Sequence, residues 1–343
     1  MISAKIIADS INTHGQRLTT FVLVFPRIVL AEFNTHRMIS RNSASSRAIP
    51  FEKMLERCQT NPFQPIRWMK DHPGMQGKDY FTPEDTYTGE YQVIGAEPFN
   101  TIKQIEISWL RARDAAIKEA KHLSELGVTK QFVNRLLEPF MWHTVIATGT
   151  DWENFFSLRA HEAAEIHIQD LAHKMLEAYN AGTPKQLQPG EWHIPFGDQI
   201  EVARIPGFND THYVGWLEEQ KTKIATARCA RISYNTFEGK DDYEADIKLH
   251  DRLASSGHWS PFEHCAKAMS DDEFKYYLGN TSFIRESDTK SRISRERGWC
   301  GNFRGFIQYR KLFNQENRTD ARVQKTPGEP ITNTEHREAL REA

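Results

Sequence analysis

Residues 4–28, AKIIADSINTHGQRLTTFVLVFPRI, are the stretch on which the reading of the fold turns. Two runs rich in β-branched and aromatic residues, 4–11 and 18–28, flank the turn-like Asn12-Thr13-His14-Gly15, which is the pattern of a β-hairpin. Further along, Asn100 is a good N-cap residue. After it Ile102, Ile105, Trp109, Ala112, Ala116, Ala120 and Leu123 recur every three or four residues until Gly127, which predicts a long amphipathic helix. Ala164, Ile168, Leu171, Met175 and Tyr179 predict another, and the β-branched stretch 141–148 is expected to be extended. Strand and helix therefore alternate irregularly.

Between 181 and 212 lie Gly182, Pro184, Pro189, Gly190, Pro195, Gly197, Pro206 and Gly207, which break both helix and strand, so the main boundary is expected there. The organisation read from this is a first region over 1–180, a connection over 181–212, a second region over 213–313 and a tail over 314–343. Helices are predicted over 214–230 and 241–256, the second ended by Gly257. The tail holds only Val323, Ile331 and Leu340 as large apolar residues and is expected to be mobile.

Composition narrows the function classes. The 343 residues can bury a sizeable core, and 11% aromatic content is too rich for a disordered chain. Lys plus Arg number 44 and Asp plus Glu 46, a net charge of −2, which argues against whole-chain attraction to nucleic acid or an anionic membrane. The longest apolar stretch, 21–33, is cut by Pro26 and Arg27 and falls short of the roughly 18 residues of a membrane span. The opening MISAKIIADS does not read as a secretory signal, so a cytoplasmic location is expected. Cys58, Cys229, Cys265 and Cys300 are widely spaced and suit reduced, buried thiols.

The densest polar cluster is 34–47, NTHRMISRNSASSR, with three arginines, a histidine and four serines directly after an apolar strand. Hydroxyls, loop N–H groups and arginine forks are the donors that a phosphate-bearing ligand needs, although the same composition also serves a solvated, self-bonded loop. The spacing His36-Arg37, seven residues, Ser45 resembles the Arg-His-Arg motif of the flavin-dependent thymidylate synthases, with Thr35 in place of the first Arg. Three further blocks are similar to that family: Val133-Asn134-Arg135-Leu136-Leu137-Glu138-Pro139, Asn154-Phe155-Phe156-Ser157-Leu158-Arg159, and Ala230-Arg231-Ile232-Ser233 with Gly257-His258-Trp259-Ser260-Pro261-Phe262-Glu263-His264. The last block precedes the motif in most of the family but follows it here, which resembles a circular rearrangement.

The resemblance implies an α+β fold with a central, mostly antiparallel sheet flanked by long helices. It also implies a homotetramer with sites shared between subunits, and reductive methylation of dUMP at C5 to dTMP with FAD, NADPH and methylenetetrahydrofolate. Carried over residue by residue, it gives Arg159 the catalytic role, a guanidinium beside ring N3 that stabilises the developing anion. Arg47 and Arg135 take the phosphate, and Ser45 and Glu32 face the nucleotide. His36, Arg37, Asn154, His258 and Ser260 contact the flavin. Without the resemblance, Arg159 reads as a residue capping or salt-bridging a helix.

The sequence also departs from the pattern. Ser43 replaces a common acidic residue, Glu32 stands in place of a Gln, Thr148 and Thr150 in place of Asn and Arg, and Glu165 and His167 in place of Gln and Glu. An ionised Glu32 accepts but cannot donate, so hydroxymethyl transfer and action on dCMP stay open beside dUMP methylation. Reading His161-Glu162 with Glu165 and His167 as a metal site fails on helical spacing, since a zincin needs histidines at i and i+4. A single-stranded nucleic-acid reading rests on 285–311, where eight basic and three acidic residues are interleaved with Trp299, Phe303, Phe306 and Tyr309. The same residues can instead be core aromatics and solvated charges.

Overall fold

The computed structural model describes residues 1–74, 77–86, 100–209, 211, 213–232, 242–285 and 291–317. The first region runs β1 (Ser3–Asn12), β2 (Arg17–Pro26), α1 (Leu30–Asn34), β3 (Ser40–Ser43), α2 (Phe51–Thr60), α3 (Thr101–Glu125) and α4 (Lys130–Val133). A 3-10 turn (Asn134–Phe140) then leads to β4 (Trp142–Gly149), α5 (Glu153–Arg159), α6 (Ile166–Ala181) and β5 (Lys185–Leu187). After it come β6 (Trp192–His193), α7 (Val214–Arg231), α8 (Tyr243–Ser256), a 3-10 turn (Ser260–Glu263), β7 (Ala266–Ala268) and α9 (Asp271–Tyr276). The strands β8 (Leu278–Arg285), β9 (Ser291–Arg297), β10 (Trp299–Cys300), β11 (Phe303–Arg304) and β12 (Phe306–Gln308) complete the order.

The hairpin forms where its turn chemistry directs. Asn12 Oδ1 accepts from the backbone N–H of His14 and Gln16, at 3.0 and 2.9 Å, and Gly15 takes φ 75°. Only a residue without Cβ adopts that conformation cheaply. The resulting sheet has the order β3-β4-β2-β1-β5 and is antiparallel except for the short β1–β5 pairing. The protein is thus an α+β fold with an antiparallel-dominant sheet.

Register decides what each face of the sheet meets. On one face, Phe21, Leu23, Phe25, Val145 and Ala147 pack with Phe155 of α5 and Ile168, Leu171 and Met175 of α6. On the other, Val22 and Ile146 pack against Phe196, Cys229 and Ile232. Burial on both faces explains why β2 reads as a nearly continuous apolar run rather than an alternating one. A second core joins α2, α3 and the Asn134–Phe140 turn through Met54, Cys58, Ile117, Ala120 and Leu137.

The helix ends follow their caps. Asn100 Oδ1 accepts from Lys103 N at 2.9 Å at the head of α3, as its sequence predicts. α6 begins at Ile166 rather than at Ala164 because Glu165 is its N-cap, its Oε2 accepting from the N–H of His167 and Ile168. α8 ends at Gly257, whose φ of 67° is left-handed. All four cysteines are buried and free. Among the described residues no helix is long and apolar enough to cross a membrane. Of the tail, only 314–317 belongs to the described residues, and most of the stretch expected to be mobile lies outside them.

Candidate active site

Three groups of side chains collect most of the residues singled out in the sequence. The first centres on Arg159, the last residue of α5. Its Nε donates to His36 Nε2 at 3.0 Å, Nη1 to Glu32 Oε2 at 3.3 Å and Nη2 to Thr35 Oγ1 at 3.4 Å. All three acceptors belong to α1 and the turn after it, so one short segment grips the guanidinium. The His36 ring is buried and packs edge-on against Phe155, with centroids 4.8 Å apart. Burial, with the Arg159 and Arg41 guanidinium groups, pushes its pKa down to about 4. Neutral at ordinary pH, the imidazole can accept the Arg159 proton that an imidazolium could not.

The carboxylate of this group has an opposed environment. Burial and the Glu165 charge push the Glu32 pKa up, and Arg159 pulls against them. Glu165 itself is occupied: its Oε1 lies 2.5 Å from His167 Nδ1, while His167 Nε2 accepts from Ile66 N at 3.1 Å. Burial raises the Glu165 carboxyl, but the His167 hydrogen bond and charge and the helix N–H groups outweigh it and leave it below the usual range. The pair at 165 and 167 thus caps α6 and pins the segment at residue 66. No group of three His, Cys, Asp or Glu suited to a metal ion occurs among the described residues.

The second group is a stapled loop. After β3 the chain turns at Ser45, whose carbonyl accepts from Ala48 and Ile49, both at 3.0 Å. Asn134 Nδ2 donates to the carbonyls of Ser46 and Ile49 at 2.7 and 3.1 Å, and Lys130 Nζ donates to that of Ala48 at 2.9 Å. Arg47 Nε reaches Gln131 Oε1 at 3.1 Å. Arg47 and Arg135 therefore project, exposed, from two segments sewn together. Arg135 also borders a cleft of about 480 Å³ with Leu30, Ala31 and Asn34 of α1 and the Arg27–Glu138 pair.

The third group lies across the sheet. His258 and Ser260 line a cleft of about 600 Å³ with Asn42, Arg252, Leu253 and Pro261. The strand β3 explains the separation, because successive residues of a strand point to opposite faces. Asn42 pairs with Ile146 and faces the second region, where its Nδ2 donates to Cys229 O at 3.4 Å. Arg41 pairs with Ala147 and turns back to the carbonyls of His36 and Asn34, at 2.9 and 3.3 Å.

The residues that the resemblance assigns to flavin thus do not share one cleft within a chain. His36 is engaged with Arg159, while Arg37 and Asn154 are exposed and have no side-chain hydrogen bond among the described residues. Two members of the third group escape the motif reading. Alternation along β3 is the signal that could have found Asn42, whose Oδ1 is buried without a partner. Arg252 carries no such signal, because it lies in a plain helical stretch and reaches the cleft only through the packing of α8.

The remaining departures are also located. Thr148 is fully buried, hydrogen-bonded to Thr20 Oγ1 at 2.9 Å and to His264 Nδ1 at 2.8 Å, and Thr150 Oγ1 accepts from Arg304 N at 3.0 Å. Ser233 of the Ala-Arg-Ile-Ser block lies outside the described residues. Phe303, Phe306 and Tyr309 are buried, Arg310 pairs with Glu263 and Glu316, and Lys311 pairs with Glu316. Those three aromatics form core and no stacking platform, which removes the main support for the single-strand reading.

No curated protein matches the chain in sequence. Among solved structures it is similar to a UMP/dUMP methylase, PolB, from Streptomyces cacaoi bound with 5-Br dUMP, at 15% identity over 52% of this chain and 90% of that one, with a TM-score of 0.35. It is also similar to the flavin dependent thymidylate synthase ThyX from Helicobacter pylori complexed with FAD and dUMP, at 16% identity over 47% of this chain and 67% of that one, with a TM-score of 0.29. Residues 16–185 match the family model described as thymidylate synthase complementing protein. That segment, which carries α1, β3, the stapled loop and Arg159, is the part of the chain that belongs to this family.

Proposed function

We propose that this protein is an enzyme of the flavin-dependent thymidylate synthase type, which methylates a deoxypyrimidine monophosphate at C5, with dUMP to dTMP as the reference reaction. The observation that carries the reading is the seating of Arg159: its Nε is fixed on a neutral His36, 3.0 Å away, in the turn that bears the family motif. A guanidinium held this way is already oriented when charge develops on the ring, so little reorganisation opposes the reaction. Arg47 and Arg135 take the phosphate, for which arginine forks are the natural partners. Ser45 positions the ring; it has no base beside it that would make it a nucleophile.

FAD is the proposed cofactor, with NADPH and methylenetetrahydrofolate as co-substrates. The cleft across the sheet suits a flavin, because it combines an apolar wall with donors on His258, Ser260 and Arg252 and offers the buried, unpartnered Asn42 Oδ1 as an acceptor. FAD, when bound, supplies the two-electron chemistry that reductive methylation requires. A homotetramer with shared sites accords with the two groups lying on opposite faces of one sheet, since a second subunit can bring complementary groups together. The purified protein, incubated without oxygen with FAD, NADPH, methylenetetrahydrofolate and either dUMP or dCMP, is expected to give a product heavier by a methyl increment. A hydroxymethyl increment would reassign the reaction, and conversion of neither nucleotide would overturn the proposal.

A further inference from the structure

Arg159 has five N–H donors, of which three are engaged by His36, Glu32 and Thr35. Glu32 uses Oε2 for this contact, and its Oε1 has no hydrogen bond among the described residues. The side chains of Arg159 and Glu32 are 21% and 40% exposed. Free donors and a free acceptor therefore sit side by side at an accessible surface. The pair is only partly buried, so these free groups can meet a ligand where they already stand.

A ring edge that meets this pair must offer a donor to the carboxylate and acceptors to the guanidinium. Cytosine does: its 4-amino group donates, and N3 and O2 accept, which is the pattern by which carboxylate side chains recognise this base. Uracil also offers a donor, N3–H, and carbonyl acceptors, but in the reverse order: held in the same pose, it sets its 4-oxo oxygen against the carboxylate and N3–H against the guanidinium. Charge points the same way. Favouring the N3-deprotonated form of uracil calls for an uncompensated cation, whereas the Glu32 carboxylate lies 3.3 Å from Arg159 and offsets it. Cytosine has no N3 proton to lose. Its 4-amino group already feeds electron density toward C5, and a carboxylate accepting from that group strengthens the donation.

We propose, on the reading that Arg159 meets a pyrimidine ring, that Glu32 is a specificity-determining residue that makes the site select the 4-amino ring of dCMP over the 4-oxo ring of dUMP. Calorimetric titration of the FAD-loaded full chain at neutral pH, with each nucleotide in turn, tests this. The wild type is expected to bind dCMP at least about tenfold more tightly than dUMP, the discrimination typical of one well-placed bidentate contact. Glu32→Gln, whose amide can both donate and accept, is expected to lose that preference through tighter dUMP binding, at an unchanged melting temperature. A wild type that prefers dUMP, or a preference that Glu32→Gln leaves intact, overturns the inference and leaves the proposed reaction standing. Binding of neither nucleotide overturns both.

Discussion

Arg159 shows how neighbours set what one side chain can do. In isolation it reads as a helix-terminal ion pair, and it does make one, yet the contact that orients it comes from a neutral imidazole. Arg159→Ala is expected to lower turnover by roughly 10²- to 10³-fold, the usual cost of removing a group that meets developing charge, while flavin absorbance at saturation is retained. Equal loss of both would mark Arg159 as structural. Acid should act through Glu32, which faces Arg159, Thr35 and the Glu165 carboxylate. Because its pKa is raised, lowering the pH protonates it early, and a carboxylic acid can donate to a 4-oxo group. The ratio of dUMP to dCMP affinity is therefore expected to rise as the pH falls, and Glu32→Gln should abolish that slope. The departures at these positions are legible in the sequence. Their meaning is not, because the Arg159–Glu32 contact spans 127 residues, whereas Glu165 and His167 serve a cap and a loop that only the fold reveals.

At the scale of elements, the sheet is pinned by a buried polar chain. Ser10 and Thr20 hydrogen-bond the two nitrogens of His193 at 2.9 and 2.8 Å, Thr20 contacts Thr148, and Thr148 contacts His264. Burial pushes His193 and His264 each down to about 3. A histidine whose folded pKa is depressed contributes stability above its ordinary value near 6.5 and loses it as the pH falls through that window. The melting temperature is thus expected to hold above pH 7 and to fall progressively below pH 6.5. His264→Asn should reduce the slope of unfolding free energy against pH by up to one proton, about 1.4 kcal/mol per pH unit, whatever it does to stability at neutrality. Replacing Asn100 by Ala, which deletes a single cap of α3, is expected to cost only about 1 kcal/mol in chemical denaturation. These elements were readable because their signals are local: the Asn12 turn, the Asn100 cap, the glycine at 257 and the apolar β2. The polar chain was not, since nothing at Thr20 or Thr148 names a histidine more than a hundred residues away.

For the whole molecule, the two-faced burial of the sheet has a direct test. Without the residues after 187, Val22 and Ile146 lose Phe196, Cys229 and Ile232, and Thr20 and Thr148 lose their histidine partners. A fragment of residues 1–187 is expected to lack a cooperative thermal transition, and a sharp transition in scanning calorimetry would contradict this. The candidate site divides in the same way. His36, Arg159 and Glu32 belong to the segment that matches the family, while His258 and Ser260 approach from the far face, so motif spacing names the parts without showing that a sheet stands between them.

All five strands of that sheet come from residues 3–187, and the later part of the chain contributes none of them. The later part is a cladding laid over a finished wall. Such a layer can be attached before or behind the wall in the gene without breaking one rung of strand pairing.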